Sequence, residues 1–176
     1  AQGVALVMIF GFLVMGILVY RTYTASMPLP ATVVNESGEV LFTGAQITRG
    51  QELYQARGLM QYGSVLGHGA YLGPDYTAEY LRMSTEDVAA QWRGRGAVDS
   101  KERVVAEFRA NRYNPDTKTL VFTDKQSVAF DHIRQHYADY FGENSTKYGL
   151  LPHMITDKDD IHDLTAFFAW TAWATT

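Results

Sequence analysis

Gly58-Leu59-Met60-Gln61-Tyr62-Gly63-Ser64-Val65-Leu66-Gly67-His68-Gly69-Ala70-Tyr71-Leu72-Gly73-Pro74-Asp75 is the stretch on which the reading of this chain turns. It is dense in glycine, nearly free of charge and long for a connection. It follows a helical pattern that stops at Gly58, a residue suited to the left-handed position just past a helix end. A loop of this kind after a helix is where a bound group would be expected, yet neither the loop nor the rest of the chain contains a cysteine.

With 176 residues the chain is long enough for one domain with a real core. The net charge of −4, from 15 basic and 19 acidic residues, argues against a nucleic-acid partner. In the most basic region, residues 82–112, Glu86, Asp87, Asp99, Glu102 and Glu107 are interspersed, as on a solvated helical face. The lack of cysteine excludes disulfides, thiolate metal sites, iron–sulfur clusters and thioether-linked haem.

Residues 4–20 form an unbroken apolar run. Together with residues 1–3 it makes a helix of about 30 Å, the thickness of a bilayer core. Tyr20 and Tyr23 suit the interface and Arg21 can reach it. The run exceeds the length of a signal-peptide core, so it reads as a retained anchor in a lipid bilayer.

Beyond Pro28 and Pro30 the pattern predicts a hairpin, with Thr32-Val33-Val34 and Glu39-Val40-Leu41-Phe42 around the turn cluster Asn35-Glu36-Ser37-Gly38. A helix is predicted from Thr48, with Gln51 completing a capping box. After the glycine loop, one helix is expected to start near Thr77, another at Ser84 or Thr85, and a third to cover residues 100–111. A short strand follows at residues 119–122. A second capping box, Thr123 with Gln126, opens a helix that turns Val128, Ile133, Tyr137 and Phe141 inward and ends at Gly142. After a loop over residues 143–151, Thr156 is expected to cap the last helix. Its end, Phe167-Phe168-Ala169-Trp170-Thr171-Ala172-Trp173, reads as an approach to a membrane surface.

Several residues invite a chemical reading. His132 and His136 stand four apart, a chelating spacing, but without a third ligand the pair reads as a surface feature. His68 in the loop and Met154 before the last helix are conceivable haem ligands; the plainer readings are a packed loop residue and a core filler. Tyr62, Tyr71, Tyr76 and Tyr80 surround the loop and fit either a lined interface or ordinary core. There is no phosphate-binding loop, metalloprotease helix or nucleophile elbow, so nothing makes a self-contained enzyme.

A helix ending at glycine, a short loop and then Gly67-His68-Gly69-Ala70-Tyr71-Leu72-Gly73-Pro74-Asp75 resembles the cytochrome c subunit of bacterial nitric oxide reductases. In that family the loop bears Cys-x-x-Cys-His. Here Leu59 and Tyr62 stand in place of the cysteines and Gly63 in place of the histidine, so covalent haem c has no attachment. In this the chain is similar to the quinol-dependent nitric oxide reductases, in which a haem-less cytochrome c-like domain is fused ahead of the catalytic membrane subunit. The Glu39-Val40-Leu41-Phe42-Thr43-Gly44 hairpin and the aromatic end share the resemblance.

The resemblance implies a mostly α fold with a small β-hairpin and three parts. Residues 1–23 would be a transmembrane anchor, 24–166 an extracytoplasmic cytochrome c-like domain without haem, and 167–176 a lead-in to a second transmembrane helix. The chain is expected to be a piece of a larger protein of the bacterial cytoplasmic membrane, its soluble part periplasmic. The parent would reduce nitric oxide to nitrous oxide with quinol. The parent's cofactors would be haem b, a high-spin haem b with non-haem iron, and calcium; this segment would hold none alone and supply no catalytic residue. Its partner would be the catalytic transmembrane region, met through His68, Gly69, Tyr71 and Asp75, with Gly69 and Tyr71 as calcium ligands. The alternative is a stand-alone, membrane-anchored extracytoplasmic binding or sensor domain. Produced in a host that attaches haem c to exported proteins, the purified chain is expected to show no Soret band; stoichiometric haem would contradict the reading.

Overall fold

The computed structural model describes residues 2–24 and 27–176. In chain order the elements are α1 (Gln2–Thr24), β1 (Thr32–Val34), β2 (Val40–Thr43), α2 (Gly44–Ala56), β3 (Ser64–Val65), β4 (His68–Gly69), α3 (Tyr76–Gly94), α4 (Ser100–Arg109), β5 (Tyr113–Asn114), β6 (Thr119–Val121), α5 (Asp124–Phe141) and α6 (Lys158–Trp173). The fold is mostly helical, as expected. From Gly3 to Thr24, α1 is long and apolar enough to cross a membrane, and none of it is buried by the rest of the chain. A helix apolar on every side is what a bilayer accommodates and water does not.

The expected hairpin is present and is part of a wider sheet. Asn35 folds its turn: its Oδ1 accepts from the Ser37 and Glu39 amides at 3.1 and 2.8 Å. β1 pairs antiparallel with β2 and parallel with β6, and β5 completes the order β2-β1-β6-β5. The β1–β6 pairing joins segments far apart in sequence and brings α5 onto the core.

Helix starts differ from expectation in three places. α2 begins at Gly44 and not at Thr48, with the capping box formed by Thr43 and Gln46. Thr48 lies inside the helix, and its hydroxyl donates to the Gly44 carbonyl at 3.0 Å. α3 is one unbroken helix where two were expected: Ser84 is buried within it and the Thr85 hydroxyl donates back to Arg82. α6 is capped by Asp157 rather than Thr156, the carboxylate accepting from the Asp159 and Asp160 amides. The Thr123–Gln126 box is formed as expected. On α5, Ile133, Tyr137 and Phe141 face inward, but Val128 is exposed, because the buried stripe runs through Ala129 and Phe130 instead. A turn of 3-10 helix, Ser145–Tyr148, occupies the expected loop after α5.

α6 lies in the middle of the domain. It packs on α2, α3 and α5, and Leu164, Phe167 and Phe168 are in the core. The boundary expected between residues 166 and 167 therefore falls inside a helix, and much of the aromatic run fills the interior. α2 crosses α6 at Gly50. A Cβ there would lie 2.0 Å from the Asp163 carbonyl oxygen and 2.9 Å from the Phe167 Cβ. Beside this crossing the buried Asp163 carboxylate pairs with Arg49, which is largely in solvent.

Gly50→Ala tests the crossing. Alanine is the better helix former by about 1 kcal/mol, so an unobstructed site would gain stability. The crowding at Gly50 predicts a net loss of about 1–3 kcal/mol in denaturant unfolding. An unchanged or raised midpoint would show that the helices are not in backbone contact.

Candidate functional site

The glycine loop begins where α2 is stopped by Gly58, at φ 64°. One turn of 3-10 helix, Leu59–Gln61, follows and leads into the β3–β4 hairpin. Its two-residue turn is Leu66-Gly67, with φ 53° and 75°. Both values are positive, the mark of a type I′ turn. Glycine adopts this geometry freely, whereas leucine does so at a cost of about 1–2 kcal/mol. Three contacts hold it there. The Leu66 amide donates to the Thr77 hydroxyl at 3.1 Å. Its carbonyl accepts from His68 Nδ1 at 3.0 Å. The Gly67 amide donates to Asp75 Oδ2 at 2.7 Å.

Gly63, Gly69 and Gly73 allow this loop to fold on itself backbone against backbone. A Cβ on Gly73 would stand 1.6 Å from the Tyr62 carbonyl oxygen; on Gly69, at φ 141°, it would stand 2.3 Å from that of Gly63. On Gly63 it would strike both the Pro74 carbonyl oxygen and the Tyr76 ring at 2.6 Å. The amides use this closeness: Ser64 donates to Pro74 at 2.9 Å, and Ala70 donates to Met60 and Gly63 at 2.8 and 3.1 Å.

Asp75 closes the loop. One carboxylate oxygen caps α3 by accepting from Ala78, and the other accepts from the Ser64 hydroxyl and the Gly67 amide. Partial burial pushes this carboxyl up, but the hydrogen bonds from Ala78, Gly67, Ser64 and Thr77 outweigh it and hold it below the usual carboxylate value. The Tyr54 hydroxyl reaches the Gly63 carbonyl at 3.3 Å, and burial, then the Asp75 charge, push that phenol up to about 12.

The space inside the loop does not fit a haem. Leu59 is fully buried and Tyr62 half-buried. At Gly63 the clash with Pro74 and Tyr76 leaves no room for a histidine side chain. Behind them Tyr76 stacks on Phe168 with ring centroids 4.7 Å apart and meets Tyr54 edge-on at 6.0 Å. Aromatic rings occupy the interior against which a cofactor would have to lie.

Outward, the loop presents apolar groups to solvent: Tyr71 is 90% and Leu72 99% exposed, with Met60, Leu66 and His68 exposed nearby. Gly69 is half-buried. The expected docking residues thus divide: His68 and Tyr71 lie on the surface, while the Asp75 carboxylate is engaged within the loop. Among the described residues no group of three or more acidic or histidine side chains converges on a metal position. From this loop a calcium ion would find only backbone and phenol oxygens at Gly69 and Tyr71.

The remaining sequence candidates disperse. His132 Nδ1 lies 2.9 Å from Asp87, and His136 turns inward against Tyr137 and Tyr140. Met154 packs against the core, and Tyr76 and Tyr80 belong to it. The role of Thr77, which bonds both the Leu66 amide and Thr171 on α6, escaped the sequence reading, as did the exposure of Leu72. Position two residues after Asp75, in the first turn of α3, was the available signal for Thr77, and an apolar side chain beside Gly73 the signal for Leu72.

A helical domain with a small mixed sheet, a self-packed glycine loop and an apolar helix ahead of it defines the class: a cytochrome c-like domain preceded by a membrane-compatible helix. Residues 30–176 match the NorB cytochrome c-like domain of the nitric oxide reductases, and the chain belongs to that family. No curated protein matches it.

Asp75→Asn tests the loop closure. The substitution keeps an acceptor for Ala78 but sets an amide against the Gly67 N–H, at an expected cost of about 1 kcal/mol near neutral pH. The native carboxyl is depressed by folding, so its contribution is present above its unfolded value of about 4 and is lost as pH falls through the lower folded value. The stability gap between wild type and variant should therefore close in acid. A gap independent of pH would contradict the role given to the carboxylate.

Proposed function

We propose that the chain is the haem-free, membrane-anchored N-terminal domain of a quinol-oxidising nitric oxide reductase. It covers the catalytic membrane region on the periplasmic side of the bacterial cytoplasmic membrane and supplies no catalytic residue. The observation that supports this most strongly is the division of the glycine loop. Its inner half is closed by backbone contact, while its outer half presents Tyr71 and Leu72 to solvent. Exposed apolar side chains on a preformed support are what a protein interface uses, since little ordering entropy is lost on docking.

The ends of the domain fit the same arrangement. The Trp170 indole N–H donates to the Pro28 carbonyl at 3.0 Å, so the end of α6 lies beside the segment that follows α1. A second membrane helix continuing from residues 167–176 would leave the domain close to where the first arrives. In this reading Gly69 and Tyr71 offer oxygens to a bridging calcium whose other ligands belong to the catalytic region. Haem b, and the high-spin haem b with its non-haem iron, lie in that region too. Electrons pass to them directly from quinol, and the domain needs no redox cofactor.

A photo-crosslinking amino acid at position 72 of the intact parent tests the interface. It is expected to capture the catalytic helices of the same protein; labelling by solvent quenchers alone would refute docking through this loop. Purified parent should reduce nitric oxide with a quinol as sole donor. Turnover sustained only by a reduced soluble cytochrome would overturn the quinol assignment.

A further inference from the structure

α3 and α5 pack side by side and bury a tyrosine against a carboxylate. Tyr137 has no solvent exposure. Its hydroxyl donates to Glu79 Oε2 at 3.4 Å. Phe141 and Phe168 cover its ring at 5.7 and 5.2 Å. Burial, and then the Glu79 charge, hold the phenol far above its ordinary value, so it keeps its proton in the resting state. Burial also pushes the Glu79 carboxyl up, against opposing pulls from His136, the Tyr137 hydroxyl and Arg82, making it a stronger base than an exposed carboxylate.

This pair is connected to the surface. The Tyr140 ring lies 6.3 Å from that of Tyr137, and Tyr148 lies 4.3 Å beyond it. Tyr148 is half in solvent. A phenol becomes strongly acidic on losing an electron, so a tyrosine is readily oxidised where a base is already hydrogen-bonded to it. An apolar enclosure then shields the neutral radical from water and from coupling with other radicals. Tyr137 has both the base and the enclosure, and Tyr140 and Tyr148 supply closely spaced oxidisable rings between it and solvent.

We propose that Tyr137 is a redox-active tyrosine, with Glu79 as its proton acceptor and Tyr140 and Tyr148 as the path by which an oxidising equivalent reaches it. The reactant is a small, diffusible one-electron oxidant, the chemical class to which nitrogen dioxide belongs. The oxidant removes one electron at Tyr148, whose proton passes to water. An electron from Tyr137 then refills Tyr148 through Tyr140, and Tyr148 takes a proton back from water. The Tyr137 O–H proton moves to the Glu79 carboxylate. The net change is loss of one electron from Tyr137 to the oxidant and transfer of one proton from Tyr137 to Glu79. This activity is independent of docking through the glycine loop.

Flash oxidation of the full chain in detergent tests it, with a ruthenium(II) polypyridyl photosensitiser and a cobalt(III) quencher as the probe. Tyrosyl radical is followed by transient absorbance and electron paramagnetic resonance. Because the chain has eleven tyrosines, variants must assign the signal. Wild type is expected to give a long-lived radical whose formation slows in deuterium oxide. Tyr137→Phe should lose the long-lived component and keep only short-lived surface radicals. Glu79→Gln retains a hydrogen-bond acceptor and should keep the native circular dichroism spectrum, yet lose the isotope effect and the long-lived signal. Tyr148→Phe should lower the yield without shortening the lifetime. A long-lived signal unchanged in either Tyr137→Phe or folded Glu79→Gln would overturn the proposal.

Discussion

The packing of backbone on backbone at Gly63, Gly69 and Gly73 is the constraint from which the character of this domain follows. These contacts leave no volume for side chains at the three positions. They draw the two halves of the loop together, and the Asp75 carboxylate then spans the closed loop and the first turn of α3. A loop fixed in this way can hold Leu66 in a left-handed conformation and present Tyr71 and Leu72 to solvent without collapsing over its own apolar groups. It also leaves no room for a histidine side chain at Gly63, which is in contact with Pro74 and Tyr76.

The interior completes this arrangement. Tyr54, Tyr76, Tyr137, Phe141 and Phe168 form one connected group of rings beneath the loop. They are positioned by α6, which is drawn close to α2 by Gly50 and fixed beside it by the Arg49–Asp163 pair. Buried aromatics supply large apolar area, and where they are tyrosines each hydroxyl must find a partner or remain unsatisfied. Tyr54 and Tyr137 find Gly63 and Glu79. This aromatic core thereby carries polar groups of its own.

Much of this was legible in the residues because the signals were local. The apolar N-terminal helix, the Asn35 turn, the Thr123–Gln126 box and the stop at Gly58 each depend on a few neighbouring positions, and each formed as read. Misreadings arose where two local signals competed. Thr43-x-x-Gln46 and Thr48-x-x-Gln51 are the same pattern, and the strand that precedes Thr43 decides between them. Ser84 and Thr85 imitate a helix start, yet burial of Tyr80, Ser84 and Val88 along one face keeps α3 continuous. Asp157 outcompetes Thr156 by offering a carboxylate to two amides. The parallel β1–β6 pairing and the facing of Glu79 with Tyr137 join distant segments and left no local trace. In the site, the glycines announced a tight loop, but only the assembled fold distinguishes the Asp75 carboxylate, turned inward, from Tyr71, turned outward.

The central claim is that the loop is rigid and preformed before any partner meets it. Residue-resolved amide hydrogen exchange on the isolated chain in detergent tests this most directly. Ser64, Gly67 and Ala70 donate their amides to Pro74, Asp75, and Met60 with Gly63 respectively. If the loop is preformed, these three amides will be protected together, with opening free energies close to those of neighbouring core helices. Exchange of all three at the rate of an unstructured segment, while α2 and α6 stay protected, would contradict it.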